Sequence, residues 1–386
     1  MREPKIAIVY DWMDKMGGVE RMLLVLHDMF PHADWYTSFL DEQVSIVNQL
    51  RVKSYEFGRK EIKTSFMQRL PSFVKKNRIL SLPFFPFAFE SFDFSEYDLV
   101  ISVTSSFAKG IITKPGTNHL CILLTPTRWL WGQEKNYKFS IFNFQFSIPF
   151  QSAFQKYLKR WDLVAATRPD TFVSISQTVA ERCLKYYRRK SEVVYPPFEY
   201  GYWRKQRIKG SKDQGIKGTR DQKNKYFLVV SRLEPYKKIE IIIEAFNKLP
   251  DRKLVIIGAG SLEKKLQALA HANCQFITDI SDEELARYYS HAEALIMPQE
   301  EDFGYVALEA QACGCPVIAY HKGGALETVV DGVTGAFFHA QTPDAVRKAV
   351  ADFSPDTYNL KETTFLTQFS VESFTMRLTR AIQGLE

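Results

Sequence analysis

Ala294-Leu295-Ile296-Met297-Pro298, followed by Gln299-Glu300-Glu301-Asp302-Phe303-Gly304-Tyr305-Val306-Ala307-Leu308-Glu309-Ala310-Gln311-Ala312-Cys313-Gly314, spells out one complete strand, turn and helix. The short apolar run has the length of a buried parallel strand, and Pro298 ends it. The helix of small apolar residues stops at Gly314, a natural C-terminal cap. Glu301 is thereby placed at the carboxyl end of a parallel strand, where open α/β sheets bind their ligands. Gly304 would let backbone N–H groups at the helix start approach an anion closely. Glu309 falls inside the helix, where a buried carboxylate needs hydrogen-bond donors and ligand hydroxyls would supply them. Either glutamate alone reads as well as a solvated helix face or an ordinary loop. The order strand, Glu, Gly, helix, Glu, capping Gly is what makes the pair specific.

The same alternation extends outward through the whole second half. Strands are expected at 226–231, 253–257, 274–277, 293–297, 316–319 and 335–338, with helices near 238–248, 261–271, 282–290, 305–313, 324–330 and 343–352. In the first half, strands are expected at 5–11, 98–103, 119–124 and 171–175, and helices at about 19–30 and 177–187. A last helix covers Ser370 to Gln383, with Val371, Phe374, Leu378 and Ile382 at helical spacing. The class is α/β with doubly wound parallel sheets. A chain of 386 residues suits two such domains. The boundaries expected are 1–198, a flexible linker or insertion at 199–225, 226–365, and a C-terminal segment at 366–386. The linker reading rests on a polar near-repeat in 208–223, too poor in apolar residues to order itself.

Two stretches of the second half add cations and glycines to the carboxylates. Ser231-Arg232-Leu233-Glu234-Pro235-Tyr236-Lys237-Lys238 joins a strand to a helix. Its cations beside a helix N-terminus suit a diphosphate, Arg232 as a planar fork and Lys237 as a compact point charge. A solvated basic turn is the plainer reading. Gly258-Ala259-Gly260 follows the next strand like the start of a dinucleotide fingerprint, but Glu263 stands where the third glycine belongs, so it supports a nucleotide-proximal turn more than nicotinamide binding. In the first half, Gly17-Gly18 between strand and helix permits close approach of a phosphate or sugar, or is a plain tight turn.

Composition narrows the classes. Hydrophobic residues are 45% and charged residues 25%, as in soluble globular proteins, and no apolar run nears a bilayer's ~20 residues. Lys5–Tyr10 follows Met1 too closely for a signal peptide, so a cytoplasmic location is expected, with peripheral attachment to the inner face of the membrane as an extension. The five cysteines lack zinc or redox spacing, and the sequence has no Asp-rich metal cluster. A net charge of +7 suits an anionic partner; nucleic acid is rejected because nothing beyond charge supports it. Phe66 to Phe94 combines Pro71, Pro83 and Pro86 with aromatics, Lys75, Lys76 and Arg78. It reads equally as an insert packed on the first domain or as a surface meeting a membrane or lipid-linked acceptor.

Taken together, Gly17-Gly18-Val19-Glu20-Arg21, Arg232 with Lys237, the Gly258/Gly260 turn, the Glu301-to-Glu309 motif and Gly323-Gly324-Ala325-Leu326-Glu327-Thr328-Val329 resemble the family 4 retaining glycosyltransferases of the GT-B fold. The likeness is nearest to bacterial O-antigen and exopolysaccharide mannosyltransferases and covers nearly all of the chain outside 200–224. It implies two Rossmann-like domains facing across a cleft, with the C-terminal helix crossing back to the first. It also implies that Glu301 binds donor-sugar hydroxyls beside the reacting carbon. Phe303, Gly304 and Tyr305 would offer backbone N–H groups to the sugar or diphosphate. Glu309 would hold the ribose, Arg232 and Lys237 the diphosphate, and Gly17 and Gly18 would approach that diphosphate from the other domain. Neither metal nor cofactor is implied; the co-substrate is a nucleotide sugar, GDP-mannose ahead of UDP-hexoses, and the acceptor a saccharide, lipid-linked in the preferred reading. The Gly323–Val329 piece looks structural. Relatives often carry a histidine where this chain has Leu124, and neighbouring Thr125 and Arg128 are the substitutes for its sugar contact. Leu124 keeps open a catalytically weak sugar-nucleotide-binding partner subunit. A GT-B nucleotide-sugar epimerase is a further alternative.

Overall fold

The computed structural model describes residues 4–14, 17–44, 46–50, 62–132, 148–212, 225–358, 360 and 364–385. The chain forms two compact units: unit 1 comprises Met1–Pro197 with Val371–Glu386, and unit 2 comprises Phe198–Ser370.

Unit 1 is built on β1 (Ile6–Tyr10), β2 (Asp34–Thr37), β3 (Lys63–Thr64), β4 (Leu99–Thr104), β5 (Asn118–Leu123), β6 (Thr171–Ser174) and β7 (Glu192–Val193). Among the described residues these make one parallel sheet in the order β3-β2-β1-β4-β5-β6-β7. Ala7, Ile8 and Val9 and all six residues of β4 are buried, as expected of strands covered on both faces. The four strands expected in this half are present within a residue at each end. β2, β3 and β7 are additional; they lie toward the sheet's edges, and β3 and β7 are two-residue pairings too short to leave a periodicity.

Unit 2 contains β8 (Tyr226–Val230), β9 (Lys253–Ile257), β10 (Cys274–Ile277), β11 (Ala292–Met297), β12 (Val317–Tyr320) and β13 (Gly335–Phe338). They form a parallel sheet ordered β10-β9-β8-β11-β12-β13. Both sheets reverse direction of winding once, between β1 and β4 in unit 1 and between β8 and β11 in unit 2. Such a reversal parts the loops at the carboxyl edge and leaves a crevice where doubly wound folds bind ligands.

The expected linker needs correction. Tyr200–Lys212 is a helix, and it packs against the helices Asp282–His291 and Tyr305–Ala312. Its composition is polar, but Trp203 is fully buried with its ring edge-on to Tyr289 at 6.0 Å, and the Cys313 thiol points at the Trp203 carbonyl. One large buried aromatic, with Tyr202 donating to Asp282 at 2.7 Å, docks a helix of otherwise polar composition. The rest of the near-repeat, 213–223, lies outside the described residues. Trp203→Ala is expected to lower the stability of unit 2 by about 3–5 kcal/mol, measured as a shift of the denaturant midpoint.

Candidate functional site

The turn after β8 and the turn after β11 flank the reversal point of unit 2, and the sequence candidates meet there. The β8 turn passes into a 3-10 turn at Pro235–Lys237, then through Lys238 at φ 56° into the helix Ile239–Asn247. That path brings the Lys237 ammonium onto the Glu301 carboxylate as a largely buried ion pair, with 12% and 15% of the two side chains exposed. The Gln299 amide donates to the same Glu301 oxygen at 2.7 Å. Arg232 remains exposed on the β8 turn, donates to the Tyr236 hydroxyl at 2.5 Å and lies over that ring. The Lys237 ammonium lies 5.4 Å from the same ring, so Tyr236 sits between the two cations.

The glycines of this region have distinct physical causes. Gly304 caps the helix Tyr305–Ala312 at φ +100°, a conformation that L side chains rarely adopt. Gly323 and Gly324 lie so close to the Glu301 and Phe303 backbones that an added Cβ would stand 2.5 and 2.3 Å from their carbonyl oxygens. Gly324 N–H donates to the Glu301 carbonyl at 2.8 Å, so the Gly323–Val329 segment fixes the Glu301 turn. At Gly258 and Gly260 the space a Cβ would fill is taken by the Ser231 and Leu233 backbones, at 2.1 and 2.5 Å. Leu233 N–H to Ala259, Leu262 N–H to Leu233, and Ser261 Oγ to Glu234 lock the two turns together. The glycines thus position the Arg232 turn.

Phe303 is buried, edge-on to Tyr305 and Phe369 at 5.1 and 5.5 Å. Glu309 is buried as well, and the Tyr289 hydroxyl donates to its Oε2 at 3.1 Å. Burial first, and then the Glu309 charge, hold Tyr289 well above the ordinary phenol range, so it stays a donor. Tyr289→Phe is expected to cost unit 2 about 1.5–3 kcal/mol, the worth of a hydrogen bond to a charged group, read from the denaturant midpoint.

In unit 1 the carboxyl edge carries the other candidates. Gly17 and Gly18 begin the helix Gly18–Met29, whose first-turn Glu20 is buried and accepts from the Tyr10 hydroxyl at 2.9 Å. Leu124 and Thr125 follow β5 and are buried, and the Thr125 hydroxyl has no hydrogen-bond partner among the described residues. Arg128 is half-buried. Beneath this segment lies a network that spacing does not reveal. The Lys109 ammonium and the Asp162 carboxylate pair at 2.6 Å with at most 1% exposure. Asp162 also accepts from Thr127 (2.9 Å), Trp131 (2.7 Å) and Tyr187 (2.9 Å). Asp11, at the end of β1, accepts from Thr104 Oγ1 and from the amides of Ser105, Phe107 and Ala108 at 2.7–2.9 Å, tying the β1 turn to the β4 turn. Its place directly after an apolar strand was the one legible sign of it. Gln299 and Tyr236 were likewise missed, and the only hint was their position on the two turns.

The comparisons with known proteins divide between sequence and fold. The family model "Glycosyl transferases group 1" matches residues 212–364, which lie within unit 2. A GDP-mannose-dependent alpha-(1-6)-phosphatidylinositol monomannoside mannosyltransferase of Mycolicibacterium smegmatis is 37% identical over 144 residues, 33% of this chain and 38% of that protein. A D-inositol 3-phosphate glycosyltransferase of Mycolicibacterium gilvum is 38% identical over 127 residues, 30% and 29% of the two chains. The chain thus spans about a third of the length of the curated relatives it matches. Likeness of fold runs much further. Anabaena Alr3699/HepE in complex with UDP superposes with a TM-score of 0.66 over 98% of this chain and 100% of that one, at 18% identity. Sucrose-phosphate synthase of Thermosynechococcus elongatus gives 0.70 over 99% of both, at 17% identity. The chain has the GT-B fold of these structures, two Rossmann-like parallel-sheet domains, and the stretch similar to the glycosyl transferases group 1 model lies in the second of them.

Proposed function

We propose that the protein is a retaining, metal-independent glycosyltransferase of family 4 that moves a hexose from a nucleotide diphosphate sugar to a saccharide acceptor in surface polysaccharide synthesis. The observation that carries this reading is the Lys237–Glu301 pair at the reversal point of unit 2, with Arg232 and Tyr236 beside it. A carboxylate held by a cation and an amide is fixed where sugar hydroxyls can donate to it, and the cations can meet a diphosphate. In this reading Glu301 holds the donor sugar, and Arg232 and Lys237 stabilise the departing nucleoside diphosphate. The backbone at Phe303, Gly304 and Tyr305 faces sugar and phosphate, and Glu309 takes the ribose hydroxyls. The acceptor oxygen bonds to the anomeric carbon as the bond to the diphosphate breaks, on the same face, and a diphosphate oxygen takes the acceptor's proton. Gly17, Gly18, Thr125 and Arg128 are assigned to substrate binding by unit 1. The Thr125 hydroxyl, buried and without a partner among the described residues, supports this, because such a donor is costly until a ligand accepts from it.

GDP-mannose is the preferred donor. The M. smegmatis relative, named as GDP-mannose-dependent, supports it, while the UDP bound in Alr3699/HepE supports UDP-hexoses. That relative's phosphatidylinositol-linked substrate supports a lipid-linked acceptor. Incubation with each donor in chelator, with release of nucleoside diphosphate and the product's anomeric configuration followed by NMR, tests the proposal. Turnover of one donor with retained configuration is expected. Inversion, or a strict need for a divalent cation, would contradict the mechanism. Binding without turnover would favour a sugar-nucleotide-binding partner subunit, the reading that the buried Leu124 in place of a histidine supports.

A further inference from the structure

The insert at 66–90 of unit 1 turns six phenylalanines in two directions. Phe85 and Phe89 are fully buried, and Phe85 stacks on Phe107 at 4.7 Å, so the helix Phe85–Glu90 is anchored in the core. Phe66, Phe73, Phe84 and Phe87 point outward, 43%, 69%, 36% and 58% exposed. Phe84 and Phe87 are one helical turn apart, and Phe66 meets Phe84 edge-on at 6.5 Å, which gathers three of the rings on one outer side. The helix Ser72–Lys76 carries Phe73, and the Lys75 ammonium ties it back to the Gln68 carbonyl at 2.8 Å.

Core packing explains the inward rings and leaves the outward ones without a reason. Water-exposed phenylalanine is unfavourable, and four in one short insert form an apolar surface of the kind that marks an interaction site. The charge of the same segment says what it meets. From Phe66 to Phe89 the chain has no Asp or Glu but carries Arg69, Lys75, Lys76 and Arg78. The first carboxylate beyond it, Glu90, is taken by Arg168 at 2.6 Å and by the Trp161 indole at 2.8 Å. What it meets must combine negative charge with an apolar layer. Exposed aromatic rings on a segment whose sequence carries cations and no anion match the headgroup region of an anionic bilayer, where rings enter the acyl boundary and Lys and Arg stay with the phosphates.

We propose that the outer face of residues 66–90 docks unit 1 onto an anionic lipid bilayer. No helix among the described residues is long and apolar enough to cross a membrane, so the attachment is interfacial. The surface stands on unit 1 alone. Only its use, bringing the enzyme to a lipid-linked acceptor, rests on the transferase reading.

The test is co-flotation of the full chain with vesicles of phosphatidylcholine containing about one-third phosphatidylglycerol, against phosphatidylcholine alone. Binding to the anionic vesicles at low salt, at least roughly tenfold weaker on the neutral ones, is expected. Phe73→Ser with Phe87→Ser should abolish it, and Arg69→Glu should weaken it and its dependence on salt. All three positions are exposed, so the thermal midpoint and the nucleotide affinity of unit 2 should stay at the wild-type value. Absence of flotation, or flotation undiminished in the double variant, overturns the proposal. So does a change of oligomeric state in the double variant without vesicle binding, which would make the face a contact between copies. Nucleotide affinity, measured on the same samples, separates failure of this surface from failure of the transferase reading.

Discussion

Replacing Lys237 with alanine should lower kcat with a nucleotide-sugar donor on the order of a hundredfold or more, with a smaller effect on nucleotide affinity. The side chain enters the site at the end of a short 3-10 turn and makes the ion pair with Glu301. In the proposed mechanism its loss removes a cation from the place where negative charge grows on the leaving diphosphate. It also leaves the Glu301 carboxylate with the Gln299 amide as its neighbouring donor on that oxygen. Arg232 cannot replace it, because it is exposed and engaged with Tyr236. Lys237→Arg should retain part of the rate, since the charge is kept while the compact point donor is not. A loss of less than about tenfold in kcat for Lys237→Ala would show that the leaving group is stabilised elsewhere.

Asp162→Asn should destabilise unit 1 by about 3–5 kcal/mol, a large share of a typical domain's stability. Lys109 would then be a buried cation with the Ser106 carbonyl and the Tyr187 ring, 5.4 Å from its ammonium, as its remaining partners in the network. The reverse change, Lys109→Met, should cost less. Its orphan is a carboxylate that keeps three donors, from Thr127, Trp131 and Tyr187. Denaturant midpoints of the two variants give the comparison. Equal costs, or costs below about 1 kcal/mol for both, would show that the pair is not what holds the Thr125–Trp131 segment over the helix Ile148–Ala165.

The alternation of apolar strands and amphipathic helices was legible wherever a strand was long, apolar and bounded by Gly, Pro or a charged turn. β9 at Lys253–Ile257 and β13 at Gly335–Phe338 coincide with their expected bounds. Where tertiary packing decides, the sequence was silent. Nothing in Tyr200–Lys212 except Trp203 distinguishes a docked helix from a polar linker, and the partner that docks it, Tyr289, is remote in sequence. The motif from Glu301 to Glu309 was visible because its parts lie within one strand–turn–helix unit. That Lys237 would meet Glu301 across 64 residues follows only once β8 and β11 are neighbours in the sheet. The Lys109–Asp162 pair had no local sign, since its members lie on different elements and neither belongs to a motif. Gly258 and Gly260 were read as a nucleotide-proximal turn, and what the spacing did not show is that the Arg232 turn packs against them.

In the proposed function the carboxyl edge of unit 2 receives a nucleoside diphosphate sugar, with the cations on its diphosphate and Glu309 on its ribose. Calorimetric titration in chelator with GDP, UDP, GDP-mannose and UDP-glucose, on the wild type and on Glu309→Ala, tests it most directly. Binding of one nucleotide family, GDP and GDP-mannose first, is expected in the micromolar range and weakened roughly tenfold or more in the variant. Failure of all four to bind, or binding unchanged by Glu309→Ala, would contradict it.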